Sequence, residues 1–494
     1  MVLVDFFLKC SLDVGYLIEL KKINTTHTSI VHFMKSIKTT KYAQLFFGLI
    51  ASLSLVSTSF AQNNTSAKIT NIDSFVNDLY SYNKMMGSVA IMENGKLVYQ
   101  KSVGFADVET KKKITNETRF RVGSITKTFT STMIFQLIDE GKLELTTPLS
   151  KFFSGVKNAK EITLSQLLAH KSGIASFTSE ESYESYMYTG KSDKEILSII
   201  ENLPSKFTPG ERSSYSNSNY WLLGHIIELV TKDSYANQLT LRITKKLGLN
   251  NTYYGSTISS QSKEANSYSL GENSKPNQAN WIQSKETQMG IPHGAGAIVS
   301  NPTDLLTFIT ALFENKLVSE SSLNQMMTLD GDFARGLFVF PFYGEKAYGH
   351  EGAIDDFVNN LAYLPASKTA VVMMTNGLGD YSFNSILVGV LSMWFDKPFE
   401  MPNLKEQPIS LQEDEVKLYT GLFSNPQLPF KLQLEADGAQ LVATATGQQA
   451  IVLVPYSKTN FQFKPAGIVI EFPEQSFNTF TLKQGGGVFE FVKE

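Results

Sequence analysis

Cysteine is almost absent: Cys10 is the only one in 494 residues. Neither a disulfide framework nor a thiolate metal site can be built from it. Charge of one sign is also missing. Lysine and arginine total 44 against 47 acidic residues, a net charge of −3. No basic cluster breaks that balance, so nothing draws the chain to nucleic acid. Long apolar runs are few. The most apolar, residues 45–56, is shorter than the ~20 residues a spanning helix needs, and no later stretch reaches that length. The sequence has no His-Glu-x-x-His, no Gly-x-Ser-x-Gly and no phosphate-cradling glycine loop. Those absences argue against a zinc protease, an α/β-hydrolase and a nucleotide-binding enzyme. His225 and His293 have no partners at ligand spacing, so no catalytic metal and no cofactor are expected. Internal repeats and low-complexity segments are missing too.

What is present is globular. Hydrophobic residues make up 42% and charged residues 18% of the chain. The length exceeds one ordinary domain, so two folded units are expected. Residues 1–61 differ from the rest. Lys35, Lys38 and Lys41 precede the apolar run, and Ser59-Phe60-Ala61 follows it. Positive, apolar and small regions in that order read as a secretory signal. Met34 stands where such a signal would begin, which leaves residues 1–33 open to being an untranslated extension. Residues 1–61 carry six lysines and three acids, a local +3 that leaves −6 for the remainder. After cleavage the chain would hold no thiol and no cysteine for a lipid. The expectation is an exported protein, periplasmic or extracellular, with no stable membrane insertion once the signal is removed.

Past residue 86 the texture becomes regular. Val89-Ala90-Ile91-Met92, the turn Glu93-Asn94-Gly95-Lys96, and Leu97-Val98-Tyr99 read as a β-hairpin, because Asn-Gly suits a two-residue turn. From 126 to 139, Phe129, Met133, Ile134, Leu137 and Ile138 share one helical face, and Gly141 is a natural stop. Helical spacing recurs over 164–170, 193–202, 221–231 and 302–313. Strand-like runs return over 359–364 and 369–375. Strands flanking a long helical middle predict an α+β fold, one antiparallel sheet flanked by helices with an all-helical subdomain. This first domain is expected over 62–395. Pro398, Pro402 and Pro408 mark a linker over 396–412. Residues 413–494 then alternate in short runs, at 430–435, 441–446, 451–455, 461–463, 468–472, 480–483 and 488–492. They predict a small all-β domain, a barrel or a sandwich.

Three segments carry candidate chemistry. In Ser124-Ile125-Thr126-Lys127, the serine opens the 126–139 helix and the lysine follows one turn later on the same face. A serine hydroxyl needs a base to become a nucleophile, and a desolvated lysine can supply one. The spacing alone is weak, since Ser81–Lys84, Ser154–Lys157 and Ser260–Lys263 share it. Only Ser124 has the setting, an approach through Phe120-Arg121-Val122-Gly123 into an amphipathic helix. The second segment is Tyr215-Ser216-Asn217. A loop tyrosine can relay a proton beside a lysine, and an asparagine amide can hold a substrate carbonyl or the lysine. The bland alternative is a helix cap. The third is Tyr348-Gly349-His350-Glu351-Gly352-Ala353, just before the last strands. Gly352 would let a substrate backbone lie close to a strand edge. Ala353 N–H could join that of Ser124 as an oxyanion hole, worth roughly 2.7–4 kcal/mol per donor. His350 is read as a site wall or a plain strand histidine, and His170 as a loop-packing residue.

In this order and spacing, the three segments resemble the serine β-lactamase and penicillin-recognising family, with its Ser-x-x-Lys, Tyr-x-Asn and Lys/His-x-Gly boxes. Leu167-Leu168-Ala169-His170-Lys171-Ser172-Gly173, Pro209-Gly210 and Ala295-Gly296-Ala297-Ile298-Val299-Ser300 extend the likeness to the class C and DD-peptidase branch, over roughly residues 75–395. The resemblance implies a β-lactamase/DD-peptidase-like fold and an acyl-enzyme mechanism. By position, Ser124 would be the acylated nucleophile, and Lys127 and Tyr215 would share the proton transfers. Asn217 would orient the substrate amide or Lys127. His350, Gly352 and Ala353 would line the strand along which substrate lies. Two departures stand out. His350 occupies a place where typical β-lactamases have lysine, and a neutral histidine grips a carboxylate less firmly. Glu351 adds a negative charge beside it. Both point to D-alanyl-D-alanine carboxypeptidase, D-aminopeptidase or esterase relatives acting on small molecules or peptides, with the cell wall as one candidate partner. A true β-lactamase and a non-turnover penicillin or cell-wall sensor are the alternatives. The last 80 or so residues resemble β-rich accessory domains of the family, with stabilisation as the default role.

Overall fold

The computed structural model describes residues 66–494, apart from positions 260, 273, 276, 277, 407, 485 and 486. The export signal expected over 1–61, with Cys10, lies outside the described residues. The chain divides into two compact units. In one, residues 66–74 accompany Val390–Phe399, and Lys68 pairs with Asp396 at 2.7 Å. The other holds Phe75–Gly389 and Glu400–Glu494.

Six strands of the larger unit form an antiparallel sheet: β1 (Met85–Glu93), β2 (Lys96–Val103), β3 (Phe338–Phe342), β4 (Glu345–Ile354), β5 (Phe357–Leu364) and β6 (Thr369–Leu378). Their spatial order is β3-β4-β5-β6-β1-β2, so both ends of the segment build one sheet. The expected hairpin is present, with Asn94 at φ 48° and Gly95 at φ 74° supplying the positive φ of a tight turn. Two short strands, Tyr268–Leu270 and Trp281–Gln283, extend the sheet beside β6. β3 pairs with β4 from Phe342↔Glu345 to Phe338↔Gly349. The register stops there, which leaves that edge of β4 beyond Gly349 to the segment around Ser124.

Helices α1 (Thr126–Asp139), α2 (Leu164–Leu168), α3 (Asn217–Thr231) and α4 (Pro302–Phe313) occupy the middle of the chain. α4 is capped by Asn301 Oδ1, which accepts from Asp304 N–H at 2.9 Å, and starts with proline. Its Phe308 stacks on Phe129 of α1 at 3.6 Å. α1 departs from expectation. The sequence pattern gives it one apolar face, yet every residue from Thr126 to Leu137 is buried. The reason lies in short hydroxyl side chains. Thr128 donates to Gly336 O, Thr130 to Gly294 O and Ser131 to Arg335 O, at 2.7–2.9 Å. A polar face so satisfied can be buried at little cost. α3 begins at Asn217, earlier than the apolar spacing indicated, because Ser176 Oγ accepts Asn217 N–H at 3.1 Å.

The C-terminal segment forms a closed barrel of eight strands, β7 to β14: Gly421–Ser424, Lys431–Asp437, Gln440–Ala445, Ile451–Pro455, Asn460–Phe463, Ile468–Glu471, Thr479–Gln484 and Gly487–Lys493. β7, which the sequence pattern did not reveal, closes the ring through Phe423↔Lys493. Alternate inward residues fill the interior, among them Phe423, Leu434, Phe461, Phe480 and Phe491.

Candidate active site

Ser124 sits at the centre of the 3-10 turn Gly123–Ile125, which runs directly into α1. Gly123 has φ +54°, and a Cβ there would lie 2.7 Å from Ala353 O. Glycine permits both the turn and the approach. Lys127 follows one turn later and is fully buried. Its Nζ lies 2.8 Å from Ser124 Oγ and donates to Ala295 O at 2.8 Å. Tyr215, in the loop before α3, brings its hydroxyl to 2.9 Å from the same Oγ. The Tyr215 ring stacks on His170 at 4.4 Å and stands 4.9 Å from Lys127 Nζ. Two protonic groups thus converge on one serine oxygen.

Burial separates their proton affinities. Desolvation holds Lys127 well below the ordinary lysine value. Desolvation raises Tyr215, against the lowering effect of its Ser124 hydrogen bond. The amine is pushed toward its neutral form while the phenol keeps its proton. A neutral amine with an N–H on Ala295 O retains a lone pair for the Ser124 proton.

β4 completes the site. His350 is buried and stacks on Phe338 at 4.1 Å. Its Nδ1–H donates to Glu351 O at 2.5 Å, so the hydrogen-bond pattern leaves Nε2 as an acceptor. Burial and then the nearby Lys127 lower its pKa to about 3, partly offset by that hydrogen bond. It is a neutral wall. Burial raises the Glu351 carboxyl. Gly352 lies against the serine segment, where a Cβ would sit 1.9 Å from Val122 O. Buried Arg121 fastens the two segments together, pairing with Asp355 at 3.1 Å and Glu286 at 2.6 Å. Asn359 Nδ2 adds a bond to Arg121 O at 3.0 Å. Ala353 is exposed beside Gly123, where its N–H and that of Ser124 are candidate oxyanion donors.

Gly352→Ala is therefore expected to push β4 off the serine segment. Thermal stability should fall by about 1–3 kcal/mol from overpacking. Turnover should fall by about 10²-fold or more as the donors separate. Thermal melts and ester hydrolysis on the purified variant check both, and unchanged turnover would contradict the placement.

Asn217, the first residue of α3, donates from Nδ2 to Thr178 Oγ1 at 2.8 Å and has no hydrogen bond to Lys127 among the described residues. The holding of Lys127 falls instead to Ala295 O, a backbone carbonyl that no residue type announces. His170 packs the loop as expected: its Nδ1 accepts Ser216 N–H at 3.1 Å. The other Ser-x-x-Lys pairs differ in setting. Lys84 pairs with Asp380, Lys263 pairs with Glu117, and Ser154 and Lys157 are both exposed.

A family model described as Beta-lactamase matches residues 80–386. The chain belongs to the beta-lactamase family. Within it, the teichoic acid D-alanine hydrolase of Staphylococcus aureus strain MRSA252 is 30% identical over 288 residues, 56% of this chain and 68% of that one. Protein flp of several S. aureus strains is matched over 60% of its length, so the chain spans about three fifths of that relative. Two solved structures share the fold of this beta-lactamase-family chain. The octameric penicillin-binding protein homologue of Pyrococcus abyssi has a TM-score of 0.61 and 25% identity, covering 86% of this chain and 100% of its own. A D-stereospecific amidohydrolase from Streptomyces sp. has a TM-score of 0.54 and 26% identity, covering 63% and 94%.

One sequence expectation is corrected. His225 and His293 do have a partner: the structure gathers them with Glu228. His225 and Glu228 are one turn apart on α3, but His293 arrives from a 3-10 turn 65 or more residues away in sequence, so no local spacing could show the group.

Proposed function

We propose that this beta-lactamase-family protein is a serine hydrolase that removes D-amino acyl groups, as esters or amides, through an acyl-enzyme on Ser124. The observation that carries the reading is the convergence of Lys127 Nζ and Tyr215 OH on Ser124 Oγ, at 2.8 and 2.9 Å. As Oγ attacks the acyl carbon, its proton passes to the Lys127 lone pair. The carbonyl oxygen takes the developing charge against Ser124 and Ala353 N–H groups. When the acyl–oxygen or acyl–nitrogen bond breaks, the Tyr215 phenol gives its proton to the leaving group and is reprotonated by Lys127. Water then repeats the sequence in place of Ser124, releasing the acid.

The acyl class is supported by the names of the D-alanine hydrolase and D-stereospecific relatives. It is also supported by a cavity of about 460 Å³ lined by Thr178 and the acids Glu180, Glu181, Glu184, Asp355 and Asp356, which outnumber its one lysine, Lys285, even with Asp355 paired to Arg121. Thr178 is the residue that Asn217 grips. Acid-lined walls suit the free ammonium of a D-alanyl group, while neutral His350 gives a carboxylate little hold. The proposed layout is a hydrolase domain over 62–395, a linker over 396–412 and a stabilising barrel domain from 413, exported by the signal over 1–61. No helix among the described residues is long and apolar enough to cross a membrane.

Kinetics with D-alanyl, L-alanyl and N-acetyl-D-alanyl esters, and with nitrocefin, test the reading. The free D-alanyl ester should exceed its N-acetyl form by at least about tenfold in kcat/KM, about 1.4 kcal/mol of binding to the acidic walls. Equal rates would remove that role. Nitrocefin turnover rivalling the ester would favour a true β-lactamase, and a stable adduct without product would favour a sensor.

A further inference from the structure

We propose that His225, Glu228 and His293 form a zinc-binding site that braces the turn holding Lys127. Nε2 of His293 lies 3.8 Å, and Nδ1 of His225 2.8 Å, from Glu228 Oε2. One donor atom from each residue falls within 4.8 Å of the others. The imidazole rings stack at 4.1 Å and 21°.

Hydrogen-bond directions favour a cation. Tyr254 OH lies 3.0 Å from His293 Nδ1 and donates its single proton to Met289 O at 3.3 Å. In the tautomer with that proton on Met289 O, Tyr254 accepts Nδ1–H and His293 Nε2 carries a lone pair. That lone pair faces a carboxylate. His293 is only 5% exposed, and its Nε2 is buried without a hydrogen-bond partner, as is Nε2 of His225. His225 Nδ1–H donates to Glu228 Oε2 at 2.8 Å, so it is the unpartnered lone pair of His293 Nε2 that faces an acceptor oxygen, a repulsion that a positive ion in place of the His225 proton would relieve.

The supporting groups are those of a ligand set. Tyr254 orients His293, and Tyr235 N–H binds Glu228 Oε1 at 2.8 Å, so an ion at Oε2 has only the His225 Nδ1 proton to displace. Gly224 lets His293 approach α3, since a Cβ there would lie 2.9 Å from Nε2. Two imidazoles and one carboxylate suit zinc with a fourth position open. A cavity of about 530 Å³, lined by Asp193, His225 and Glu228, gives water and metal access. Asp193 Oδ1 lies 3.9 Å from His225 Nε2, the ring nitrogen turned away from Glu228, so the fourth position falls to water.

His293 holds φ +40°, a conformation rare for a side-chain-bearing residue. Two residues on, Ala295 O receives the Lys127 amine. A metal on His293 would fix the turn that positions that carbonyl, without touching the reacting atoms.

The probe is Zn²⁺ added to the full chain after EDTA dialysis, followed by calorimetry and metal analysis. One zinc per chain with a Kd of about 1 μM or tighter is expected. His225→Gln and Glu228→Gln should each weaken it at least tenfold, and Ser124→Ala should bind as wild type does. If a variant fails to fold, the wild type still decides. Zinc should raise its thermal midpoint, and Co²⁺ in its place should give the visible bands of a four-coordinate site. Binding no tighter than about 100 μM, or binding unchanged in both folded variants, would overturn the proposal.

Discussion

Ser124→Ala is expected to lower kcat for D-alanyl ester hydrolysis by about 10³- to 10⁶-fold while leaving the fold intact. The serine is half-buried in a turn whose shape is set by Gly123 and whose position is set by Arg121 and Gly352. Losing one hydroxyl disturbs none of these. It removes the atom on which Lys127 and Tyr215 converge. Residual turnover would come from the oxyanion donors and binding alone. Circular dichroism and thermal melts serve as the control for folding, and steady-state kinetics give the loss.

Lys127→Met is expected to cost about 10²–10⁴-fold in kcat/KM, the range of a lost general base. The substitution keeps the volume of the stem and removes the amine. It also separates function from stability. The folded-state pKa of Lys127 lies below 10.5, because burial penalises the ammonium. Between the folded value and 10.5 the unfolded chain binds more protons than the folded one, so stability falls as pH drops through that window. Lys127→Met lacks this slope, and its thermal midpoint at pH 7 should equal or exceed that of wild type. The same shift sets the rate profile. Lys127 must be neutral to accept the Ser124 proton, so kcat/KM in wild type should rise with pH along an acid limb placed below the ordinary lysine value. His350, held neutral down to about pH 3, should add no limb of its own. The acid limb should vanish in the small residual activity of Lys127→Met.

Much of this site is legible in the sequence because it is local. Ser124 and Lys127 share one helical turn, and Asn94-Gly95 fixes its hairpin in two residues. Tyr215 and the His350–Ala353 strand join them through the boxes that resemble the family, which relate distant segments by order. Where no such order exists, the sequence is silent. Ala295 acts through its carbonyl, so its side chain says nothing. The burial of α1 on all sides depends on carbonyls from Gly294, Arg335 and Gly336, far along the chain. The His225–Glu228–His293 group joins two helical neighbours to a remote turn. β7 is four residues long and is recognisable only by the partners that close the barrel on either side.

The most direct measurement is peptide mapping by mass spectrometry after acid quench during turnover of a D-alanyl ester. The account predicts one D-alanyl group on the peptide that contains Ser124, absent from Ser124→Ala. An acyl group on another residue, or undiminished turnover in Ser124→Ala, would contradict it.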